Sequence, residues 1–283
     1  MKEITSVNNE KIKDIVKLSK SVSKRREESV FTVEGLRLVA EVPSERLIEI
    51  FVEEGFLEKL EAASAGDGNE KNVMRLIDEA EKKDTCFKVN QAVMKKLSDT
   101  DSPQGVLAVV SMEKHDIAEL MGESGTRGRA ARVKSPFILI MDRLQDPGNM
   151  GTIIRTAEGA GVTGILISSD SVDVYSPKTV RSTMGSIFRM KICVSENLPE
   201  DIERLKSKGI VVFGTHLNGK EFYDEDFTGA AAFLIGNEGR GLSDAVAATA
   251  DRLLRIPMEG KVESLNAGVS AAVVMYEVLR QRR

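Results

Sequence analysis

Three short segments in the second half of the chain set polar and charged residues among glycines at expected junctions of strand and helix. The first is Asp146-Pro-Gly-Asn-Met-Gly-Thr-Ile-Ile-Arg155. Pro-Gly favours a turn, and Asn149 is expected to cap the helix that follows, since its side chain can accept from free backbone N–H groups. Arg155 is expected about one and a half turns into that helix. Its neighbours Ile154 and Ala157 are apolar, so it is expected near a packed edge. The second segment is Leu234-Ile-Gly-Asn-Glu-Gly-Arg-Gly-Leu-Ser243, with glycines at 236, 239 and 241. Glycines after a buried strand permit positive φ and close backbone approach to a ligand. They place Glu238 at the carboxyl end of a strand, where α/β sheets bind ligands. The third is Ile256-Pro-Met-Glu-Gly-Lys-Val-Glu-Ser-Leu-Asn-Ala267, an irregular run leading into the last helix with Ser264 as the expected N-cap. Taken singly, each segment also reads as an ordinary turn or helix cap.

Other chemistries lack their parts. Gly159-Ala-Gly-Val-Thr-Gly164 has the spacing of a dinucleotide loop, but it follows a helix and precedes a strand, the reverse of what a pyrophosphate site needs. It reads as a helix C-cap and tight turn. No G-x-S-x-G elbow occurs. The two histidines, His115 and His216, stand far apart, and Cys86 and Cys193 form no C-x-x-C pair, so neither a metal site nor a disulfide is expected. Reduced, buried thiols suit a cytoplasmic protein. Residues 1–5 begin no apolar leader, and no apolar run reaches the ~20 residues of a membrane span.

The elements that must position these segments follow from periodicity. The chain has 283 residues, 41% hydrophobic and 30% charged, with a formal net charge of −4. That suits two globular domains and argues against a protein that coats nucleic acid through overall charge. Residues 1–112 alternate helical stretches (8–20, 36–42, 71–81, 91–97) with strands (30–33, 47–52, 86–89, 105–110), the pattern of a compact α/β domain. Residues 113–135 are rich in Gly and Arg and read as a flexible linker. From 136 to 283 the alternation resumes. Strands are expected at 137–141, 164–167, 190–194, 210–213, 232–235 and 253–256, and helices at 148–159, 177–182 and 264–280. Such alternation predicts a mostly parallel sheet covered on both faces. Positive charge gathers at Lys17, Lys20, Lys24, Arg25 and Arg26, at Arg127, Arg129, Arg132 and Lys134, and at Arg280, Arg282 and Arg283. Each cluster is either solvated surface or a local contact to RNA phosphates.

In order and spacing, Asn149-x-Gly151-x-x-x-Arg155, Gly236-Asn-Glu-Gly-x-Gly241 and Ser264-Leu-Asn266 resemble the three signature motifs of the SpoU-type (TrmH-like) branch of the SPOUT methyltransferases. The resemblance covers residues 136–283. Lys24-Arg25-Arg26 followed by Phe31-Thr-Val-Glu-Gly35 is similar to the RNA substrate-binding domain often joined ahead of it. The resemblance implies an α/β fold whose mostly parallel sheet carries a deep trefoil knot, a rare exception to unknotted chains. It implies S-adenosyl-L-methionine as cofactor, held by Gly236, Ile256 and Leu265 with Gly214, Ser264 and Asn266 nearby. It also implies methyl transfer to a ribose 2′-hydroxyl of RNA, with Arg155 polarising the hydroxyl and Asn149 and Glu238 orienting Arg155 and substrate. An arginine stays protonated, so electrostatic stabilisation suits it better than acting as a free base. The family is typically homodimeric, building its site across an interface to which the apolar last helix is suited. The separate N-terminal domain favours ribosomal RNA over tRNA as substrate. A non-catalytic RNA-binding protein and a base methyltransferase remain alternatives. No metal and no membrane are expected. Gly268 in the third motif should weaken the start of the last helix by ~1 kcal/mol.

Overall fold

The computed structural model describes residues 1–63, 68–121 and 135–283. The chain begins with β1 (Lys2–Ile4), α1 (Glu10–Lys20), α2 (Val22–Glu28), β2 (Val30–Glu34), α3 (Leu36–Val39), β3 (Leu47–Glu53) and α4 (Glu54–Ala63). It continues through α5 (Asn69–Lys82), β4 (Cys86–Val89), α6 (Gln91–Leu97), β5 (Val106–Ser111), α7 (Ile117–Leu120), β6 (Phe137–Met141), α8 (Pro147–Ala160) and β7 (Gly164–Ser168). After α9 (Pro177–Thr183) come β8 (Ile192–Ser195), α10 (Leu198–Ser207), β9 (Val211–Glu221), β10 (Ala231–Ile235), α11 (Asp244–Ala247), β11 (Arg252–Arg255) and α12 (Ala267–Gln281). Two compact units result. One comprises Met1–Glu113 with Asp173–Phe188, the other Lys114–Val172 with Arg189–Arg283.

The first unit is built on a mixed sheet in the order β1-β4-β3-β5-β2, with β5 antiparallel to both β3 and β2. Ile12, Ile15 and Leu18 recur along one face of α1 and bury against Phe51, Phe87 and Leu107 of the sheet. The stretch with Lys24, Arg25 and Arg26 is largely structural. Arg25 is buried, donating through Nε and Nη2 to Asp173 Oδ2 at 2.8 and 2.6 Å and through Nη1 to the carbonyls of Leu18 and Ser19. Lys24 pairs with both Asp14 and Glu28 at 2.6 Å. Of that trio only Arg26 is exposed. Within Phe31-Thr-Val-Glu-Gly35, the Phe31 ring packs on Tyr175 at 4.9 Å, and Glu34 accepts from Ser98 Oγ, Thr100 Oγ1 and the Asp99 amide. Gly35 takes φ +94°, and a Cβ there would lie 2.7 Å from Gln104 Oε1.

The second unit carries a six-stranded sheet in the order β11-β9-β10-β6-β7-β8, parallel at every pairing. Its central strands β6, β7 and β10 are buried along their whole length, as expected when helices cover both faces of a parallel sheet. Ile138, Ile140, Leu166, Leu234, Ile202 and Leu205 form one core.

Several local expectations change. The linker expected from residue 113 gives way to α7, because Asp116 and Glu119 form a reciprocal capping box and Ile117 and Leu120 bury in the core of the second unit. Arg127, Arg129, Arg132 and Lys134 lie outside the described residues. Strand β9 is longer than the expected 210–213. Its ladder with β11 jumps from Leu253↔Gly214 to Leu254↔Lys220, so residues 215–219 leave the register. Among the C-terminal cations, Arg280 is held by Glu277, and Arg282 donates to the carbonyls of Phe227, Ser135, Pro136 and Gly229. No helix among the described residues is long and apolar enough to cross a membrane, and no cluster of His, Cys, Asp and Glu there could hold a metal ion.

Candidate functional site

The three segments meet at the carboxyl ends of β6, β10 and β11 and the start of α12. Helix α8 begins at Pro147, and its N-cap is Asp146, whose carboxylate accepts from the Asn149 amide at 2.7 Å. Asn149 is therefore not the cap expected from the sequence. Asp-Pro is the stronger signal, since Pro at the first helical position has no N–H to satisfy. Freed from capping, the Asn149 side chain donates through Nδ2 to Glu238 Oε1 at 3.1 Å and accepts at Oδ1 from Asn266 Nδ2 at 3.0 Å. One hydrogen-bonded chain thus joins a residue from each segment.

Glu238 has further partners. Its Oε2 accepts from the Gln145 amide at 3.1 Å and its Oε1 from the Asp146 amide at 3.0 Å. Burial opposes its charge, but these amide bonds and the one from Asn149 outweigh that and hold its carboxyl below the ordinary value. The loop that carries it is tightly folded. Asn237 and Gly241 exchange backbone hydrogen bonds, and Asn237 Oδ1 accepts from the amides of Gly239 and Arg240. A Cβ at Gly236 would lie 2.3 Å from the backbone of Gly241 and Leu242, so only glycine fits.

Asn266, not Ser264, caps α12, accepting from the amides of Gly268 and Val269. Ser264 is exposed and lies before the helix starts. Gly268 is buried, and a Cβ there would lie 3.2 Å from Asn266 Oδ1 and 3.7 Å from Asn149 Oδ1. Its helix penalty is offset by the room it leaves for that pair.

Gly236 follows the last residue of β10 and Ile256 the last residue of β11, while Gly214 lies inside β9, paired with Leu234 of β10 and Leu253 of β11. Gly214 is buried where the β9 ladder leaves register, and Ile256 and Leu265 are half-buried at the two ends of an irregular segment.

Arg155 is placed differently. It lies on the exposed side of α8, and no hydrogen bond or ion pair joins its side chain to Asn149, Glu238 or any other described residue. Six residues separate it from Asn149, which in an α-helix is about 9 Å along the axis and roughly 120° around it. The two side chains therefore leave α8 in different directions. Sequence reading also passed over Asp146, Gln145 and Asn237, although each lies within the quoted segments or beside them. His216 is exposed on the segment that leaves the β9 register.

This geometry defines a class: a parallel α/β unit whose ligand end is closed by three interlocked loops, joined to a separate α/β unit. The matches to known proteins place the chain within it. Residues 136–276 match the SpoU rRNA Methylase family, and residues 9–108 match the MRM3-like substrate binding domain. The chain is 32% identical over 281 residues, 98% of its length and 99% of the relative's, to the 23S rRNA (guanosine(2553)-2'-O)-methyltransferase RlmP of Bacillus subtilis. It is 35% identical over 189 residues, 64% of its length and 62% of the relative's, to the 23S rRNA (uridine(2479)-2'-O)-methyltransferase of Streptomyces viridochromogenes. Among solved structures, the AdoMet-bound rRNA methyltransferase from Sinorhizobium meliloti superposes with a TM-score of 0.81 at 28% identity, covering 99% of this chain and 97% of that one. The chain belongs to the SpoU rRNA methylase family.

Proposed function

We propose that this protein transfers a methyl group from S-adenosylmethionine to a ribose 2′-hydroxyl of large-subunit ribosomal RNA. The observation that carries the reading is the hydrogen-bonded chain Glu238–Asn149–Asn266, which locks the three family segments into one site. The relatives named above supply the reaction and the RNA class, and the S. meliloti structure supplies the cofactor.

Bound, S-adenosylmethionine supplies an electrophilic methyl group. Gly236, Ile256 and Leu265 would hold it, with Gly214, Ser264 and Asn266 alongside. Glu238 fixes Asn149 by accepting from it and from the two amides before α8. Asn149 keeps one N–H and a carbonyl lone pair for the ribose. The Arg155 guanidinium stabilises, through the adjoining phosphate, the charge that develops as the 2′-hydroxyl passes its proton to solvent water. Because Arg155 points away from Asn149, it serves the site of a second subunit in a homodimer. Val269 and Tyr276 of α12, 48% and 53% exposed, give that interface apolar surface. We place the protein in the cytoplasm with its RNA, and we read the loops around residues 256–266 as the knotted part of the fold.

Incubating the protein with 23S rRNA and methyl-labelled S-adenosylmethionine, then digesting to nucleosides, tests this. The expected product is a 2′-O-methylated ribonucleoside. Label on a base would replace the reading with base methylation. Absence of both label and cofactor-binding heat would leave an RNA-binding protein.

A further inference from the structure

Beside Glu238 lies an open cleft of about 360 Å³ lined by Arg143, Gln145, Asp170, Asn237 and Arg240. Asn237 belongs to the second signature segment, but the side chains of Arg143, Asp170 and Arg240 have no part in the site described above. The volume is in the range of small-ligand sites, roughly 300–1,000 Å³.

Three features mark the cleft as built for a ligand. First, Arg143 takes φ +53°, a left-handed conformation that glycine would adopt at no steric cost. It is held there on every side. Its amide donates to Ser168 Oγ at 2.8 Å, and its carbonyl accepts from Asn237 Nδ2 at 2.8 Å and Gln145 Nε2 at 3.2 Å. A position that favours glycine yet keeps a long cationic side chain points to work for that side chain. Second, the Arg143 Nε is buried with no hydrogen-bond acceptor; Asp142 Oδ1 is 3.5 Å away, and the other Asp142 oxygen accepts from the Ser243 amide. Third, Arg240 and Asp170 are exposed, and among the described residues neither side chain has a hydrogen bond or ion pair. The backbone of each is pinned, Asp170 through its carbonyl to Gln145 Nε2 and Arg240 through its amide to Asn237 Oδ1.

Two guanidinium groups and one carboxylate ask for a ligand with an anion and adjacent N–H donors. A nucleotide has both. Guanine is the base that presents two donors, N1–H and the 2-amino group, side by side to one carboxylate. Uracil, cytosine and adenine each offer one such donor group on that edge. We infer that this cleft seats the methylated nucleotide, with Arg143 and Arg240 on its phosphate and Asp170 reading its base as guanine. The inference rests on the methyl-transfer reading for the word methylated, and on the cleft alone for the word guanine.

Three measurements test it. Wild-type transfer to 23S rRNA, mapped by nucleoside digestion, should give 2′-O-methylguanosine; a methylated ribose on any other nucleoside overturns the base assignment while leaving ribose methylation standing. Asp170→Asn presents an amide donor where guanine also donates, so kcat/KM should fall about tenfold to a hundredfold with cofactor binding unchanged. Arg143→Gly suits the left-handed backbone, so its thermal stability should equal or exceed the wild type while KM for RNA rises about tenfold. An unchanged KM in Arg143→Gly, or unchanged kcat/KM in Asp170→Asn, overturns the proposal. Should no RNA be methylated, calorimetry with the four nucleoside 5′-monophosphates still decides. Preference for the guanosine form, lost in Asp170→Asn, supports the cleft, and equal or no binding removes it.

Discussion

Glu238 accepts from three N–H donors with two oxygens, a demand only a charged carboxylate meets in full. Those donors favour its ionised form in the folded chain and are absent in the unfolded one. Its folded pKa lies below the ordinary 4.5, so the unfolded state binds its proton first as pH falls. The stabilisation is therefore complete above pH 4.5 and is lost as pH drops through the lower folded value. Glu238→Gln retains one acceptor oxygen and turns an amide toward a donor. The melting temperature of Glu238→Gln should thus fall below wild type at pH 7, and the gap should narrow as pH falls below about 4.5. Thermal denaturation of both proteins across that range checks it; a gap that widens in acid would sink the argument. At this scale the sequence assigned the two helix caps to the wrong residues. Asn149 and Ser264 are common cap types, and type alone cannot show that the neighbours Asp146 and Asn266 take the capping bonds.

Helix α12 depends on Asn266 twice, as cap for the amides of Gly268 and Val269 and as donor to Asn149. Asn266→Ala should lower the unfolding free energy by about 1 kcal/mol, in the range of 0.5–2 kcal/mol for a lost N-cap. It should also weaken methyl transfer beyond that loss, since Asn149 loses its anchor. Ser264→Ala should leave stability within about 0.5 kcal/mol of wild type, because Ser264 is exposed and caps nothing. Urea unfolding of the pair separates the two residues, and equal losses would overturn the assignment. Periodicity found α1, α3, α5, α6, α8, α9 and α12 along with β2 to β11, because apolar runs and amphipathic faces are local signals; three-residue β1 is too short to show a pattern. It passed over α10, although Leu198, Ile202 and Leu205 follow helical spacing and bury in the core. The excursion of residues 215–219 from the β9 ladder was not legible. It is set by the pairing of Gly214 and Lys220 with consecutive residues of β11, which lie far along the chain.

Chain connectivity and compact units do not coincide in this molecule. Asp173–Phe188 lies inside the stretch that matches the methylase family, yet it packs with Met1–Glu113, where Asp173 holds the buried Arg25 and Tyr175 lies on Phe31. Arg25, in a basic run that the sequence left between solvated surface and RNA contact, is neither, because it is buried in an ion pair that only the position of Asp173 reveals. A second consequence concerns Arg155, whose separation from Asn149 on one helix makes a shared site the reading that uses both residues. In a two-fold dimer each site would combine Asn149 of one subunit with Arg155 of the other. Arg155→Ala and Asn149→Ala dimers should each lose nearly all transfer while still binding cofactor. After subunit exchange of equal amounts, half the dimers are mixed and each holds one intact site. Activity should then return to about a quarter of wild type, as random pairing across a symmetric interface requires. If both residues acted within one subunit, each subunit of the mixed dimer would lack one of them and no activity would return. Transfer assays on the mixture, with sedimentation to show that the dimers have exchanged, separate the two arrangements.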